Sequence, residues 1–153
     1  MKLQQAETIA KNFLSEIKEF CERIEIAGSI RRKKPEVNDI DIVLIPRQRE
    51  HLLQRIRKIS RVEVQGKKLL RTEYSNVQVD VYFATEETWG ILLLVRTGRK
   101  EHNIKLCQHA INNGMKLSSE KGLMKNGKVI ANKTEEEIFQ GLEMDYVKLE
   151  ERN

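Results

Sequence analysis

The stretch IAGSIRRKKPEVNDIDIVLIP, residues 26–46, is the part of the chain around which the rest is organised. It predicts a short strand, a turn at Gly28-Ser29 that opens into a basic helical turn, and a second strand over about residues 39–45. Backbone N–H groups at the start of a helical turn attract anions. The turn is therefore a candidate site for phosphate groups.

Three carboxylates lie on predicted strands that are otherwise apolar. Asp39 and Asp41 share one face of the second strand, because side chains alternate along a strand. Asp80 lies in a later predicted strand, residues 77–83, on the face opposite its apolar residues. A surface or capping role is the ordinary explanation for any one such acid. Three of them favour a metal site, because buried carboxylates need a compensating cation and Mg²⁺ prefers oxygen ligands.

Such a set of acids has a known chemical use. Three carboxylates can hold two divalent ions roughly 3.5–4 Å apart, the arrangement used for in-line phosphoryl displacement. The sequence contains no Walker-type loop, no cluster of His or Cys spaced for zinc, and no nucleophile paired with a base. Metal-dependent transfer of a phosphoryl-linked group is the chemistry that these residues predict.

The composition suits a soluble protein with a highly charged surface, since 39% of residues are hydrophobic and 33% are charged. No apolar run is long enough for a bilayer, and the N-terminus lacks the layout of a signal peptide. Cys21 and Cys107 fall in helical patterns and are expected to be buried, reduced thiols. The expected location is therefore the reducing cytoplasm.

The net charge of +5 is unevenly distributed. Residues 47–71 carry nine Lys or Arg against two Glu, residues 96–133 carry nine against two, and residues 134–153 are net acidic. Positive charge clustered in two regions indicates a polyanionic partner. On charge alone, ordinary solvated surfaces explain the pattern equally well.

The remaining pattern predicts two units with a boundary near residue 85. Asn126-Gly127 between apolar pairs predicts a hairpin, and Gly114 predicts a left-handed helix end. The predicted helices are 3–22, 48–59, 86–95, 100–113 and a short one opened by Thr134-Glu-Glu-Glu137. The strands before the boundary predict a mixed sheet, so the predicted fold class is α+β.

These motifs carry a resemblance to a known family. Gly28-Ser29-Ile30-Arg31-Arg32, then Asp39-Ile40-Asp41 and Val79-Asp80-Val81, resemble the nucleotidyltransferase superfamily and specifically the family X DNA polymerases. Thr97-Gly98, His102-Asn103 and Gly122-Leu123 resemble the thumb of that family. The resemblance implies a polymerase beta-like nucleotidyltransferase palm over residues 1–85, with a mixed sheet and flanking helices. A small helix-plus-hairpin thumb would follow over residues 86–153, a reduced form similar to the compact viral member of the family.

The resemblance also implies an activity and roles for residues. The chain would be a template-directed DNA polymerase that adds deoxynucleotides to a primer 3′-hydroxyl, filling short gaps in DNA repair. Asp39, Asp41 and Asp80 would be catalytic and would bind two Mg²⁺ ions, for which Mn²⁺ can substitute. The implied nucleotide-binding residues are Gly28, Ser29, Arg32, Gly98 and Asn103. The expected DNA-binding residues are Arg99, Lys100, Lys105 and Lys121.

The implied partners are primer-template or gapped DNA and deoxynucleoside triphosphates, with no membrane and a monomeric chain. Two alternatives remain. The first is a nucleotidyltransferase that acts on tRNA, a protein or a small molecule, and the thumb motifs argue against it. The second is a DNA-binding module without catalysis. The three acids argue against this one, because they would repel DNA phosphates.

Overall fold

The computed structural model describes residues 1–153, and the chain divides into two compact units, Met1–Ala84 and Thr85–Asn153. Each unit has its own hydrophobic core. The division lies one residue before the boundary that the sequence predicts. No helix of the protein has the length and apolar character needed to span a membrane.

The first unit is a mixed five-stranded sheet with flanking helices. Its elements are α1 (Leu3–Ile17), a 3₁₀ turn (Lys18–Phe20), β1 (Cys21–Ile26), α2 (Gly28–Arg31), β2 (Ile40–Pro46), α3 (Arg49–Ile59), β3 (Arg61–Gln65), β4 (Leu69–Tyr74) and β5 (Val77–Phe83). The strand order is β1-β2-β5-β4-β3, in which β2 and β5 are parallel and all other neighbours are antiparallel. The predicted α+β class with a mixed sheet is confirmed.

The core of this unit is formed by the apolar faces of two helices and two strands. Apolar residues three and four apart give α1 and α3 one buried face each, and every second residue of β2 and β5 is buried with them. Fully buried examples are Ala6, Ala10, Phe13, Ile17, Leu52, Ile56, Ile40, Ile42, Val79 and Val81. Each large side chain of this set contributes about 1.5–3 kcal/mol through burial.

The second unit packs three helices with a small antiparallel sheet. Its elements are α4 (Trp89–Thr97), α5 (Lys100–Asn112), β6 (Lys116–Ser118), β7 (Gly122–Lys125), β8 (Lys128–Ala131), α6 (Glu135–Gly141) and a 3₁₀ turn (Leu149–Glu151). Asn126 and Gly127 join β7 and β8 with φ values of 52° and 74°, so the predicted two-residue hairpin is confirmed. The three-residue strand β6 was not predicted, because it is too short to show a periodicity.

Each cysteine matches its predicted setting in part, since Cys21 is buried and Cys107 lies in helix α5. Cys21 is the first residue of β1 rather than part of a helix, because α1 ends at Ile17 and a 3₁₀ turn follows. It is buried, and burial raises the pKa of its thiol to about 11, against a smaller lowering by Arg47. Cys107 is only partly buried. Both are free thiols.

Candidate functional site

Two of the three predicted acids lie side by side on parallel strands. Asp41 of β2 is the register partner of Asp80 of β5. Side chains alternate along each strand, and the neighbours of both acids point into the core of the first unit. Both carboxylates therefore project from the opposite face of the sheet. Asp80 is 4% exposed, and Asp41 is half-buried.

The third acid lies close to this pair. Asp39 precedes β2, which begins one residue later than the predicted start. Burial, and after it the negative charge of Asp80, raises the pKa of Asp39, while Arg71 lowers it. Asp39 directly precedes Ile40, whose register partner Val79 is the residue before Asp80. The structure thus brings all three acids to one region of the β2–β5 pair.

Asp80 is held by an arginine of the adjacent antiparallel strand. Arg71 of β4 is its register partner, and Arg71 Nε donates to Asp80 Oδ1 at 2.8 Å while Nη2 donates to Oδ2 at 3.2 Å. Gln78 Nε2 donates to the same Oδ2 at 3.4 Å. The hydrogen bond from Arg71 to Asp80, and then the charge of Asp80, raises the pKa of Arg71. A two-point pair of this kind fixes orientation as well as charge.

The sequence pattern does not predict this role of Arg71, which is one of nine basic residues in the range 47–71. A signal was present in the turn at Ser75-Asn76, where both residues have positive φ. A two-residue turn there pairs Tyr74 with Val77 and, counting outward, residue 71 with Asp80. The register of the β4–β5 hairpin would have identified the partner.

The acids can be tested for their fit to a divalent cation. No three metal-ligating side chains of the structure are arranged closely enough to hold an ion. Three carboxylates are nevertheless the ligand type that Mg²⁺ prefers. Asp39, Asp41 and Asp80 are therefore of the right chemical type for such an ion but are not arranged to hold one in this structure, in which both oxygens of Asp80 accept hydrogen bonds from Arg71.

The predicted phosphate-binding turn lies against Asp41. Gly28 has a φ of +60°, and a Cβ at this position would lie 2.1 Å from Asp41 Oδ2. The Ala27 N–H donates to the Asp41 carbonyl at 2.8 Å and ties the turn to β2. Ser29 lies within α2. Arg32 is the first residue after this helix and is half-buried. The structure thus brings the turn next to the acids.

Replacing Gly28 with alanine is expected to destabilise the protein and displace Asp41. The left-handed backbone costs an alanine roughly 1–2 kcal/mol, and the clash with Asp41 adds to that cost. Gly127→Ala is the matched control, because Gly127 has a φ of +74° and a Cβ there would meet nothing within 4 Å. Urea unfolding should therefore show a clearly larger loss for Gly28→Ala. Equal losses in the two variants would contradict the close contact with Asp41.

In the second unit, Gly98 and Asn103 contact each other. Asn103 Nδ2 donates to the Val95 carbonyl at 2.9 Å and to the Gly98 carbonyl at 3.4 Å. A Cβ on Gly98 would lie 2.5 Å from Asn103 Oδ1 and 2.8 Å from His102 Nδ1. The glycine therefore leaves room for the side chains of Asn103 and His102 against the end of α4. The predicted contacts of Gly98 and Asn103 with a nucleotide stay predictions.

The two basic segments differ in how much of their charge is available. Most arginines of residues 47–71 donate to acceptors within the protein. These pairs are Arg49 with the carbonyls of Gly66 and Lys67, Arg55 with Glu16, Arg57 with Gln65, Arg61 with Glu63 and Glu73, and Arg71 with Asp80. In residues 96–133, Arg99 is paired with Glu101 at 3.2 Å.

The lysines of residues 96–133 are all exposed, and none of them forms an ion pair. They are Lys100, Lys105, Lys116, Lys121, Lys125, Lys128 and Lys133. We refer to these seven residues as the lysine set. Three arginines of residues 47–71, namely Arg55, Arg61 and Arg71, pair with carboxylates, so more of the uncompensated positive charge lies in residues 96–133, although the sequence suggests equal shares for the two segments.

A known protein family matches the part of the chain that contains the lysine set. Residues 92–153 match the family model of the DNA polymerase beta thumb, and this range contains the whole lysine set. The match supports a relationship to polymerase beta-like proteins of family X, and such a thumb implies interaction with DNA. No curated protein matches the chain.

Proposed function

We propose that this chain is a template-directed DNA polymerase of family X. In this proposal Met1–Ala84 is the nucleotidyltransferase palm and Thr85–Asn153 is the thumb, a reduced form like that of the compact viral member. The observation that carries the proposal is the presence, on one chain, of a polymerase beta thumb match and of Asp41 paired in register with Asp80 beside a Gly-Ser turn. A thumb alone predicts contact with DNA, and the acids add a means of catalysis.

The proposed chemistry divides between the ions and the chain. Two Mg²⁺ ions held by Asp39, Asp41 and Asp80, or Mn²⁺ in their place, would make the primer 3′-hydroxyl a better nucleophile and stabilise the leaving phosphates. The chain itself binds and orients the incoming nucleotide. The residues proposed for this are Gly28, Ser29 and Arg32 for the triphosphate, and Gly98 and Asn103 for the sugar and base. An arginine suits the triphosphate because its planar fork pairs with phosphate at two points.

DNA binding is proposed to depend on the lysine set. Each lysine that neutralises a phosphate releases counterions from the DNA. The logarithm of the binding constant therefore falls linearly with the logarithm of salt concentration, and each phosphate contact contributes about 0.9 to the slope. Arg99 contributes less, because Glu101 already neutralises it. We expect DNA binding to depend steeply on salt and the processivity to be low. The proposed role is the filling of short gaps in DNA repair. The protein would act as a monomer in a reducing cell compartment.

Primer extension on DNA with a one-nucleotide gap tests this function. The protein is offered each templating base, deoxy- and ribonucleotides, and buffers with and without Mg²⁺. The proposal expects insertion of the complementary deoxynucleotide, and only when Mg²⁺ is present. Addition to tRNA at a similar rate, without dependence on a template, would instead support the nucleotidyltransferase alternative.

Reversing one charge of the lysine set is expected to change stability and DNA affinity in opposite directions. Lys125 and Lys128 are register partners next to the hairpin turn, and like charges directly opposite each other destabilise a sheet. Lys128→Glu should therefore raise the free energy of unfolding by about 0.2–1 kcal/mol. It should also weaken binding to gapped DNA. The slope of the logarithm of the binding constant against the logarithm of salt concentration should become shallower by about 0.9 or more, which corresponds to one phosphate contact or more.

The matched control for this variant is Lys67→Glu, which makes the same change of charge at an exposed position of the first basic segment. Fluorescence anisotropy with labelled DNA at several salt concentrations gives the affinities. A loss of affinity for Lys67→Glu as large as that for Lys128→Glu would contradict a DNA surface centred on the lysine set.

A second candidate is a DNA-binding protein without catalysis. The pairing of Asp80 with Arg71 favours it, because the carboxylate is already neutralised within the protein. DNA binding without nucleotide insertion in Mg²⁺ and in Mn²⁺ would establish this candidate and reject the polymerase.

A further inference from the structure

We propose that the outer face of the small sheet β6–β7–β8 binds unpaired nucleotides of a single-stranded DNA segment. Lysines at this face would contact the phosphates, and an apolar floor would contact sugars and the edges of bases. The inference rests on the DNA binding that the proposed function requires. It adds to that function a place for a strand that lies outside the duplex.

The register of the three strands separates two faces of the sheet. One row of paired residues belongs to the core of the second unit and consists of Leu117, Leu123 and Ala131. The adjacent row consists of Lys116, Met124 and Val129. Residues paired across strands share a face, and successive rows point to opposite faces. The row of Lys116, Met124 and Val129 therefore points away from the core, and we call its side of the sheet the open face.

The open face is accessible to a ligand. Val129 is 42% exposed, Lys116 is exposed and Met124 is half-buried. β8 pairs with β7 alone, so it is an edge strand. Val129 and Met124 are cross-strand partners and form a continuous apolar floor. The flexible thioether of a methionine adapts to partners of irregular shape.

A concavity of about 610 Å³ lies at the open face. Its lining includes Lys116 and Met124 of the row, together with Ser118, Lys121 and Asn126. Pockets that enclose one small ligand have volumes of about 300–1,000 Å³. The concavity thus has room for an unpaired nucleotide, whereas a base held in a stacked duplex cannot enter it.

The turn that carries one of the lysines is held in place by a side chain. Ser118 Oγ accepts from the Glu120 N–H at 3.3 Å and from the Lys121 N–H at 3.2 Å. These two bonds fix the turn between β6 and β7. The backbone from which Lys121 projects is therefore ordered before a ligand binds, which lowers the entropy cost of binding.

Charge indicates which partner fits the open face. Residues 121–133 carry four lysines and no acidic residue, and Glu120 is the only acid in the lining of the concavity. A polyanion is attracted to such a surface, whereas a second copy of the chain would bring the same lysines face to face. DNA is favoured over an acidic peptide, because the range that matches the polymerase beta thumb, residues 92–153, contains the whole sheet.

The residue types at the open face also predict how a strand would be held. Sites for single-stranded DNA combine a positively charged groove with side chains that contact the bases. No aromatic residue lines the concavity, so the bases would not be held by stacking on a ring. Apolar contact with sugars and bases does not distinguish one base from another, and we therefore expect little sequence preference.

The experiment measures the fluorescence anisotropy of a labelled oligo-thymidine strand and of a labelled blunt duplex of the same length. Both are titrated at several salt concentrations with the unmodified protein, Val129→Thr and Lys116→Gln. Threonine keeps the shape and the strand propensity of valine but replaces a methyl group with a hydroxyl. Val64→Thr is the matched control, because Val64 also lies on an edge strand and is 47% exposed.

We expect Val129→Thr to weaken binding of the oligo-thymidine strand by about threefold, with an unchanged salt slope, because an apolar contact releases no counterions. Lys116→Gln should also weaken binding and make the slope shallower by about 0.7, the value for one phosphate contact on a single strand. Val64→Thr should bind the strand as the unmodified protein does. The affinity for the blunt duplex should be the same in Val129→Thr and in the unmodified protein.

Three results would overturn the inference. Unchanged affinity of Val129→Thr for the oligo-thymidine strand would exclude the apolar floor. An equal loss of affinity for the blunt duplex would mean that the open face contacts paired DNA. Displacement of the strand by polyglutamate at the same concentration of charge would mean that the face recognises charge alone. In each case the proposed function stands if gapped DNA is still bound and extended, and it fails as well if gapped DNA is not bound.

Discussion

Asp80→Asn is expected to remove nucleotide insertion on gapped DNA while DNA binding stays equal or becomes slightly stronger. The asparagine cannot supply the charge that holds a divalent cation, and a bound metal contributes several kcal/mol to the stabilisation of transition-state charge. The rate should therefore fall by roughly 10³-fold. Binding should not suffer, because the available positive charge lies in the lysine set and one charge that repels phosphate is gone.

The variant is also expected to fold. An asparagine can still accept a hydrogen bond from Arg71 through its amide oxygen, so the connection between β4 and β5 is weakened rather than lost. Circular dichroism and urea unfolding would verify this before activity is compared.

The measurement is single-turnover insertion on gapped DNA, together with DNA affinity from fluorescence anisotropy. The fourth aspartate of the chain, Asp145, is exposed in the second unit, and Asp145→Asn is the matched control for the loss of one carboxylate. Unchanged turnover in Asp80→Asn would reject the assignment of this residue. A parallel loss in Asp145→Asn would show that the assay responds to charge alone.

Arg152→Met is expected to destabilise the second unit by about 3–5 kcal/mol, the range for breaking a buried ion pair. Arg152 is a fully buried residue with a charged side chain, and its Nη1 donates to Glu135, which is 4% exposed. Its Nε donates to the Val147 carbonyl at 3.0 Å. The substitution would remove the buried cation that pairs with the Glu135 carboxylate.

Several further contacts depend on this side chain. The guanidinium lies over the rings of Phe139 and Tyr146, with distances of 5.3 and 5.0 Å to the ring centres. Loss of the side chain should therefore loosen the last segment of the chain as well as α6. By contrast, the backbone carbonyl of Arg152 accepts from the Arg99 N–H at 3.0 Å, and this bond does not depend on the side chain.

Urea unfolding measures the effect, with Arg99→Met as the control. Arg99 pairs with Glu101, but both side chains are exposed, so that substitution should cost less than about 1 kcal/mol. The double variant Arg152→Met/Glu135→Leu should recover much of the loss, because an apolar pair avoids the unpaired buried charge. A loss for Arg152→Met no larger than that for Arg99→Met would contradict this account.

Much of the local structure could be predicted from short stretches of the sequence. The alternation of Asp41 and Asp80 with apolar neighbours places each acid on one face of its strand, because the period of a strand is a property of adjacent residues. The turn at Asn126-Gly127 was equally local, since both of its residues need positive φ. The thumb motifs belong to the same category, and the family match over residues 92–153 supports them.

Other features depended on residues that are distant in the chain. The sum of charge over residues 47–71 overstated what is available, because arginines such as Arg55 and Arg71 pair with carboxylates 39 and 9 residues away. The strand β6 exists only because β7 pairs with it, and three residues carry no periodic signal of their own. Neither outcome follows from a list of nearby residues.

The sequence by itself determined which acids lie on apolar strands and where the chain turns, because both follow from interactions between near neighbours. Only the tertiary structure decided which cation meets which carboxylate, as in Arg71 with Asp80 and Arg152 with Glu135. The physical reason is that strand register and burial bring those groups together, and each depends on the packing of the whole unit.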